Sequence, residues 1–278
     1  MNAYSTKIVG IVNVTEDSFS DGGRHLAPPD AIAHAERLIE DGADVIELGP
    51  ASSHPEAVAI ASDEEVRRIE PVLDVLKTRG VPVSVDSWQP ATQRYCIARG
   101  VEFLNDIEGF SHPGVHGELA TASCRLIVMH SVQRRGPATR VETDPDAVAH
   151  GIESFFEERI RALAAAGVQR SRLVLDPGMG LFLGSNPEPS LRTLATIGRL
   201  RERFELPVLV SVSRKSFLRA VTGRKLAERG AATLAAEIWA AGQGVEFIRT
   251  HDVGALHDAL SVLNAIGSQS SSSTRRNK

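Results

Sequence analysis

Residues 81–105 read VPVSVDSWQPATQRYCIARGVEFLN, and one repeat of a fold is written in them. An apolar run, Val81–Val85, ends on Asp86. Pro90, with its fixed φ and missing N–H, suits the first turn of a helix over 90–99. Arg99-Gly100-Val101 closes that helix and starts a second apolar run, Val101–Leu104, which ends on Asn105. A glycine after a helix takes the left-handed cap without a Cβ penalty, so the next strand can begin within a few residues. The same junction recurs at Gly42, Gly80, Gly167 and Gly244.

Outward from this repeat, the pattern of an apolar run with a polar end continues along the chain. Ile8–Val12 leads into Asn13, Leu126–Met129 into His130 and Leu173–Leu175 into Asp176. Val208–Val212 leads into Ser213-Arg214-Lys215, and Val245–Ile248 into Arg249 and His251. Strands are expected near 7–12, 43–48, 81–86, 101–105, 124–129, 172–176, 207–212 and 245–249. Helices are expected near 30–41, 62–78, 90–99, 114–122, 144–166, 189–204, 214–242 (broken around 223–230) and 252–266. Ser62-Asp63-Glu64-Glu65 reads as a capping box, and Asp144-Pro145 as a cap followed by a first-turn proline. Eight alternating units in about 250 residues predict an α/β fold, a single-domain (β/α)8 TIM barrel over 1–267, with its active site where the strands end. An open doubly wound sheet is the alternative. It wants a glycine-rich phosphate turn after the first strand, where this chain has Asn13-Val14-Thr15-Glu16-Asp17-Ser18. The long connections 14–29 and 49–61 leave the same rim and are expected to act as a pair of mobile lids.

At 278 residues, 42% hydrophobic, 24% charged and net charge −4, the chain has no basic bias for nucleic acid. Cys96 and Cys124 lack metal-ligand spacing and read as small buried residues in a reducing compartment. MNAYSTKIVG has no signal-peptide pattern and no run is long enough to cross a membrane, so a cytoplasmic location is expected. Residues 268–278, SQSSSSTRRNK, read as a disordered polar tail.

Three constellations on the rim carry chemistry. Asp86, Asn105 and Asp176 offer two carboxylates and an amide, which suit the N–H edge of a flat nitrogen heterocycle; each carboxylate alone also suits a loop cap. Ser213-Arg214-Lys215-Ser216, with Arg249 and His251, form a cationic group for phosphate or carboxylate, compatible with salt bridges to rim carboxylates. Asn13 and the loop Asp17–Gly23 are either oxygen ligands for a magnesium-bound diphosphate or an ordinary polar turn. His130 reads equally as a hydrogen-bonded support.

At these residues the chain resembles the dihydropteroate synthase family. The resemblance runs from about Ile8 to Leu263 and rests on Gly10–Thr15 with Asp17–Gly23, Ser84–Ser87, Leu104–Ile107, Val128–His130, Leu175–Gly180, Val212–Ser216 and Arg249–Asp252. It implies a homodimeric barrel of folate synthesis that joins 6-hydroxymethyl-7,8-dihydropterin diphosphate to p-aminobenzoate. By the same resemblance, Asp86, Asn105, Asp176 and Lys215 would hold the pterin and Arg249 would stack on it. Ile107, Met129 and Phe182 would wall the pocket. Asn13 with Mg²⁺, His54, Arg249 and His251 would meet the diphosphate. Phe19, Ser53, Pro55, Lys215 and Ser216 would meet p-aminobenzoate, and Asp86, Asp176, Lys215 and Arg249 are the implied catalytic set. Where the family usually has Gly-Gly-Glu-Ser-Thr-Arg-Pro, this chain has Gly49-Pro50-Ala51-Ser52-Ser53-His54-Pro55. That stretch, with 86–93, 129–133 and 179–183, looks most like the sulfonamide-resistance branch. A pterin-binding methyltransferase domain, which moves a methyl group from methyltetrahydrofolate, and a non-catalytic pterin- or anion-binding barrel are the rival readings.

Overall fold

The structure, a computed structural model, describes residues 4–15 and 27–274. Phe19 and most of the first long connection lie outside the described residues. Eight strands alternate with helices: β1 (Lys7–Asn13), β2 (Val45–Gly49), β3 (Val83–Asp86), β4 (Phe103–Asp106), β5 (Arg125–Met129), β6 (Leu173–Asp176), β7 (Leu209–Val210) and β8 (Phe247–Thr250). All neighbours pair in parallel, in the order β6-β5-β4-β3-β2-β1-β8-β7, and a bridge between Leu175 and Val208 joins the two ends into a closed barrel. The helices are α1 (Pro28–Glu40), α2 (Ser62–Arg79), α3 (Pro90–Ala98), α4 (His116–Thr121), α5 (Pro145–Ala165), α6 (Glu188–Phe204), α7 (Ser216–Thr222), α8 (Gly230–Gly242) and α9 (Val253–Thr274).

Successive strand residues point to opposite faces, and this alternation divides the core in two. Outward residues such as Ile46, Leu48, Val83, Val85, Leu104, Val128 and Leu175 pack under the helices. Inward, Val9, Val45, Phe103, Ile127, Val174, Leu209 and Phe247 form a separate apolar plug inside the barrel. Two residues further along the same strands, the inward positions are Ile11, Glu47, Asn105, Met129, Asp176, Ser211 and Arg249. The plug seals the barrel floor, and a polar layer rests on it.

Local signals mostly act as read. Gly42, Gly80, Gly100, Gly167 and Gly244 all have positive φ, and Asp144 accepts the Ala147 N–H at 2.7 Å. The break expected around 223–230 is present: the 214–242 segment forms two helices, α7 and α8, with Gly223 in a left-handed cap after the first. Three features differ. β7 is shortened to two residues, because Pro207 has no N–H and the chain turns away after Val212. Ser62 makes no capping box: Ala61 is the N-cap, and Glu65 turns inward to accept the Ser87 hydroxyl at 2.5 Å. The last helix continues to Thr274, past the helix end expected at 266, and Ser268 returns its hydroxyl to the Ala265 carbonyl at 2.7 Å, a bond that helical backbone accommodates.

Gly178, directly after Asp176-Pro177, has φ of +74°, and a Cβ there would lie 2.4 Å from the His130 carbonyl oxygen. Gly178→Ala is expected to destabilise the protein by about 2–4 kcal/mol through left-handed strain plus overpacking, measured by urea unfolding.

Candidate active site

The polar layer opens into a cavity of about 330 Å³ at the strand C-termini. Of the residues singled out from the sequence, Asn13, Ser53, His54, Pro55, Asp86, Phe182, Lys215, Ser216, Arg249 and His251 line it. Asn105 and Asp176 are buried in the layer beneath, while Ile107 and Met129 pack with Phe182 and Ala138 as an apolar wall. Of that set, only Phe19 lies outside the described residues.

Unsatisfied polar atoms collect on the floor. Asp86 Oδ1, Asp176 Oδ2 and both side-chain polar atoms of Asn105 are buried without a hydrogen-bond partner. Each such atom costs about 1–3 kcal/mol when desolvated, so a cluster of them marks a surface awaiting a complementary ligand. The other Asp176 oxygen accepts the Gly178 N–H at 2.8 Å, which fixes the carboxyl plane. Burial raises the Asp176 carboxyl above its ordinary range, and burial followed by the Glu47 charge does the same to Asp86.

Glu47 is a residue the sequence reading missed. It sits alone in the apolar run of β2, and an unpaired carboxylate at an inward position of a barrel strand was the available signal. Its carboxylate accepts from Arg249 Nη1 at 2.8 Å and from the Ser84 hydroxyl at 3.1 Å, with both charged side chains buried. Arg249 is thus held beside three carboxylates, Glu47, Asp86 and Asp176.

The cationic wall follows β7. Arg214 has φ of +59°, and the turn it makes delivers Lys215 as the N-cap of α7. The Lys215 ammonium lies 5.6 Å from the centroid of the Phe182 ring. Burial, then the Arg249 charge, lowers its pKa to about 8. His251 pairs its Nδ1 with Ser213 Oγ at 2.9 Å. Burial and then Arg214, Lys215 and Arg249 keep its pKa well below the ordinary histidine value, so it acts as a neutral hydrogen-bonding ring and adds no charge. His130 is a support: its N–H donates to the Asp176 carbonyl at 2.8 Å, and its ring Nδ1 lies 3.1 Å from the Pro177 carbonyl.

The second lid is fastened at three points. Arg68 donates to the Pro50 carbonyl at 3.1 Å, Gln89 to the Ile60 carbonyl at 3.1 Å, and the Ala138 N–H to the Ser53 carbonyl at 3.1 Å. His54 Nδ1 accepts the Glu56 N–H at 3.3 Å. Cys96 and Cys124 are buried free thiols, and among the described residues no helix is long and apolar enough to cross a membrane.

Comparison with known proteins agrees with this geometry. The family model described as pterin binding enzyme matches residues 9–251. The chain is 59% identical over 259 residues to dihydropteroate synthase type-2 of Escherichia coli, covering 93% of this chain and 95% of that protein. It is 51% identical over 262 residues to the type-3 enzyme of E. coli, covering 94% of this chain and 100% of that one. A solved structure of Xanthomonas albilineans dihydropteroate synthase with 4-aminobenzoic acid superposes with a TM-score of 0.84 at 38% identity, covering 94% of this chain and 93% of that one. With its parallel barrel, its floor of unsatisfied Asp and Asn groups and these matches along nearly its whole length, the chain belongs to the pterin-binding enzyme family, among the dihydropteroate synthases.

Proposed function

We infer that this chain joins 6-hydroxymethyl-7,8-dihydropterin diphosphate to p-aminobenzoate, releasing pyrophosphate and giving 7,8-dihydropteroate. The observation that carries the reading is the floor of Asp86, Asn105 and Asp176, whose unpartnered atoms match the donors and acceptor along one edge of a pterin. A methyltransferase would use that floor too, but it has no use for the cationic wall of Lys215 and Arg249 that lines the same cavity as Asn13.

The roles follow from charge and shape. Asp176 and Asp86 hold the ring N–H groups and stabilise the positive charge that spreads into the ring as the C–O bond to diphosphate breaks. Arg249, fixed by Glu47, lies flat against the ring and meets the departing phosphates. Lys215 sits between the two substrates, and Ser216 with Ser53 and Pro55 receives the p-aminobenzoate carboxylate end. The aniline nitrogen then attacks the methylene carbon and loses its proton, so no covalent enzyme intermediate is needed. Asn13, which lines the cavity at the end of β1, is the oxygen donor that would hold Mg²⁺ together with the diphosphate. When bound, the ion neutralises charge on the leaving group. A homodimer accords with exposed Trp239 on α8 and Val262 on α9, and a cytoplasmic setting with the two free thiols.

The lid supports a drug-insensitive enzyme. His54 stands where the family's usual motif has arginine, and Ala51 where it has glutamate. These changes alter the wall that p-aminobenzoate and the bulkier sulfonamides share. Sulfamethoxazole is expected to inhibit this enzyme at least about tenfold more weakly than a housekeeping synthase, a difference of about 1.4 kcal/mol in binding. Equal inhibition in a side-by-side assay sinks the resistance reading.

Asp176→Ala is expected to lower coupling by at least about a hundredfold while circular dichroism stays native. The same holds for Arg249→Lys, which leaves a charge beside Glu47 but loses the planar fork. Full activity in both contradicts the site. Lys215 is cationic below a pH of about 8 and neutral above it. KM for p-aminobenzoate is therefore expected to rise as pH passes through about 8, and Lys215→Arg should remove that break from the profile.

A further inference from the structure

α8 carries a buried polar stripe to which no role is given above: Arg229 at its N-cap, on the cavity wall, then Thr233 and Glu237 away from it, each four residues on and so on one helix face. Arg229 donates from Nη1 to the carbonyls of Arg214 at 2.9 Å and Lys215 at 3.4 Å, and from Nε to that of Arg224 at 3.2 Å. Thr233 Oγ1 accepts the Arg214 N–H at 3.3 Å. The buried Glu237 carboxyl lies beside Thr250, which stands between Arg249 and His251. One helix face therefore reaches both segments of the cationic wall, the Ser213–Ser216 turn and the end of β8.

The turn needs such a hold. A non-glycine residue in the left-handed region costs about 1–2 kcal/mol, and it persists only where its surroundings over-determine it. Arg214 is in that region, with its N–H and C=O both taken by α8 side chains. Thr233 does not line the cavity, so its hydroxyl acts on substrates only through the turn.

We propose that Arg229, Thr233 and Glu237 are positioning residues that clamp the left-handed Arg214 turn and the end of β8 in register, so that Lys215 stays over Phe182 and faces Arg249. The proposal rests on the roles given above to Lys215 and Arg249. Lys215 is faced there by Arg249, Asp176, Asp86 and Glu47, and its titration reports how deeply the turn holds it.

The test compares Thr233→Val, which keeps shape and loses the hydroxyl, with Thr233→Ser, which keeps the hydroxyl. Thr233→Val is expected to raise KM for p-aminobenzoate about fivefold, the scale of one net hydrogen bond. It should also move the pH break upward from about 8 as the ammonium gains water, and Thr233→Ser should restore both values. Arg229→Lys, which keeps the charge and loses the fork, should shift both in the same direction. If Thr233→Val does not fold, Thr233→Ala, which also loses the hydroxyl away from the cavity, decides. A folded variant with wild-type KM and an unmoved break overturns the clamp. Wild-type protein that fails to couple the substrates overturns instead the reading on which the clamp rests.

Discussion

The ion pair between Glu47 and Arg249, buried at 2.8 Å in the inward layer of the two strands that flank β1, is the interaction on which the site depends. A guanidinium taken out of water needs a partner, and losing one member of such a pair costs about 3–5 kcal/mol. Glu47 supplies that partner from β2, immediately above the apolar plug, and Ser84 takes its second oxygen. One edge of Arg249 is thereby occupied, and the rest is held facing the cavity. Asp86 and Asp176 are then left as two further carboxylates near a single arginine and Lys215. Burial, with the Glu47 charge adding to it, raises their proton affinity, so each carboxylate gains from a ligand that brings N–H donors.

The barrel reaches this arrangement by simple means. A parallel strand alternates its faces, so stepping two residues from the plug converts an apolar inward layer into a polar one on several strands at once. The plug keeps water from entering below, and the field between the carboxylates and cations stays strong for want of screening. Rigidity comes from outside the barrel: His130 pins the Asp176-Pro177 turn, and α8 pins the Arg214 turn.

Much of this was legible in the chain. Polar residues closing apolar runs located the rim, and the glycines after helices located the αβ junctions, because both signals depend on local backbone physics. Asp86, Asn105, Asp176, Lys215 and Arg249 came from that reading and meet in one place. Glu47 escaped because it lies inside its strand rather than at the end, and only the barrel's inward register shows what it faces. Arg229 and Thr233 escaped because their partners are backbone atoms about fifteen to twenty residues away, which no motif announces. Glu65 was read as a cap from its spacing, yet tertiary packing with Ser87 claimed its carboxylate. His251 was counted among the cations, and burial in a cationic wall keeps it neutral.

The central claim is that one cavity both releases the diphosphate and presents the freed methylene to an aryl amine. The most direct measurement is product stoichiometry from purified protein given the pterin diphosphate, p-aminobenzoate and Mg²⁺. The account predicts one 7,8-dihydropteroate for each pyrophosphate released. Methyl transfer from methyltetrahydrofolate without pyrophosphate release, or no turnover of either substrate, would contradict it.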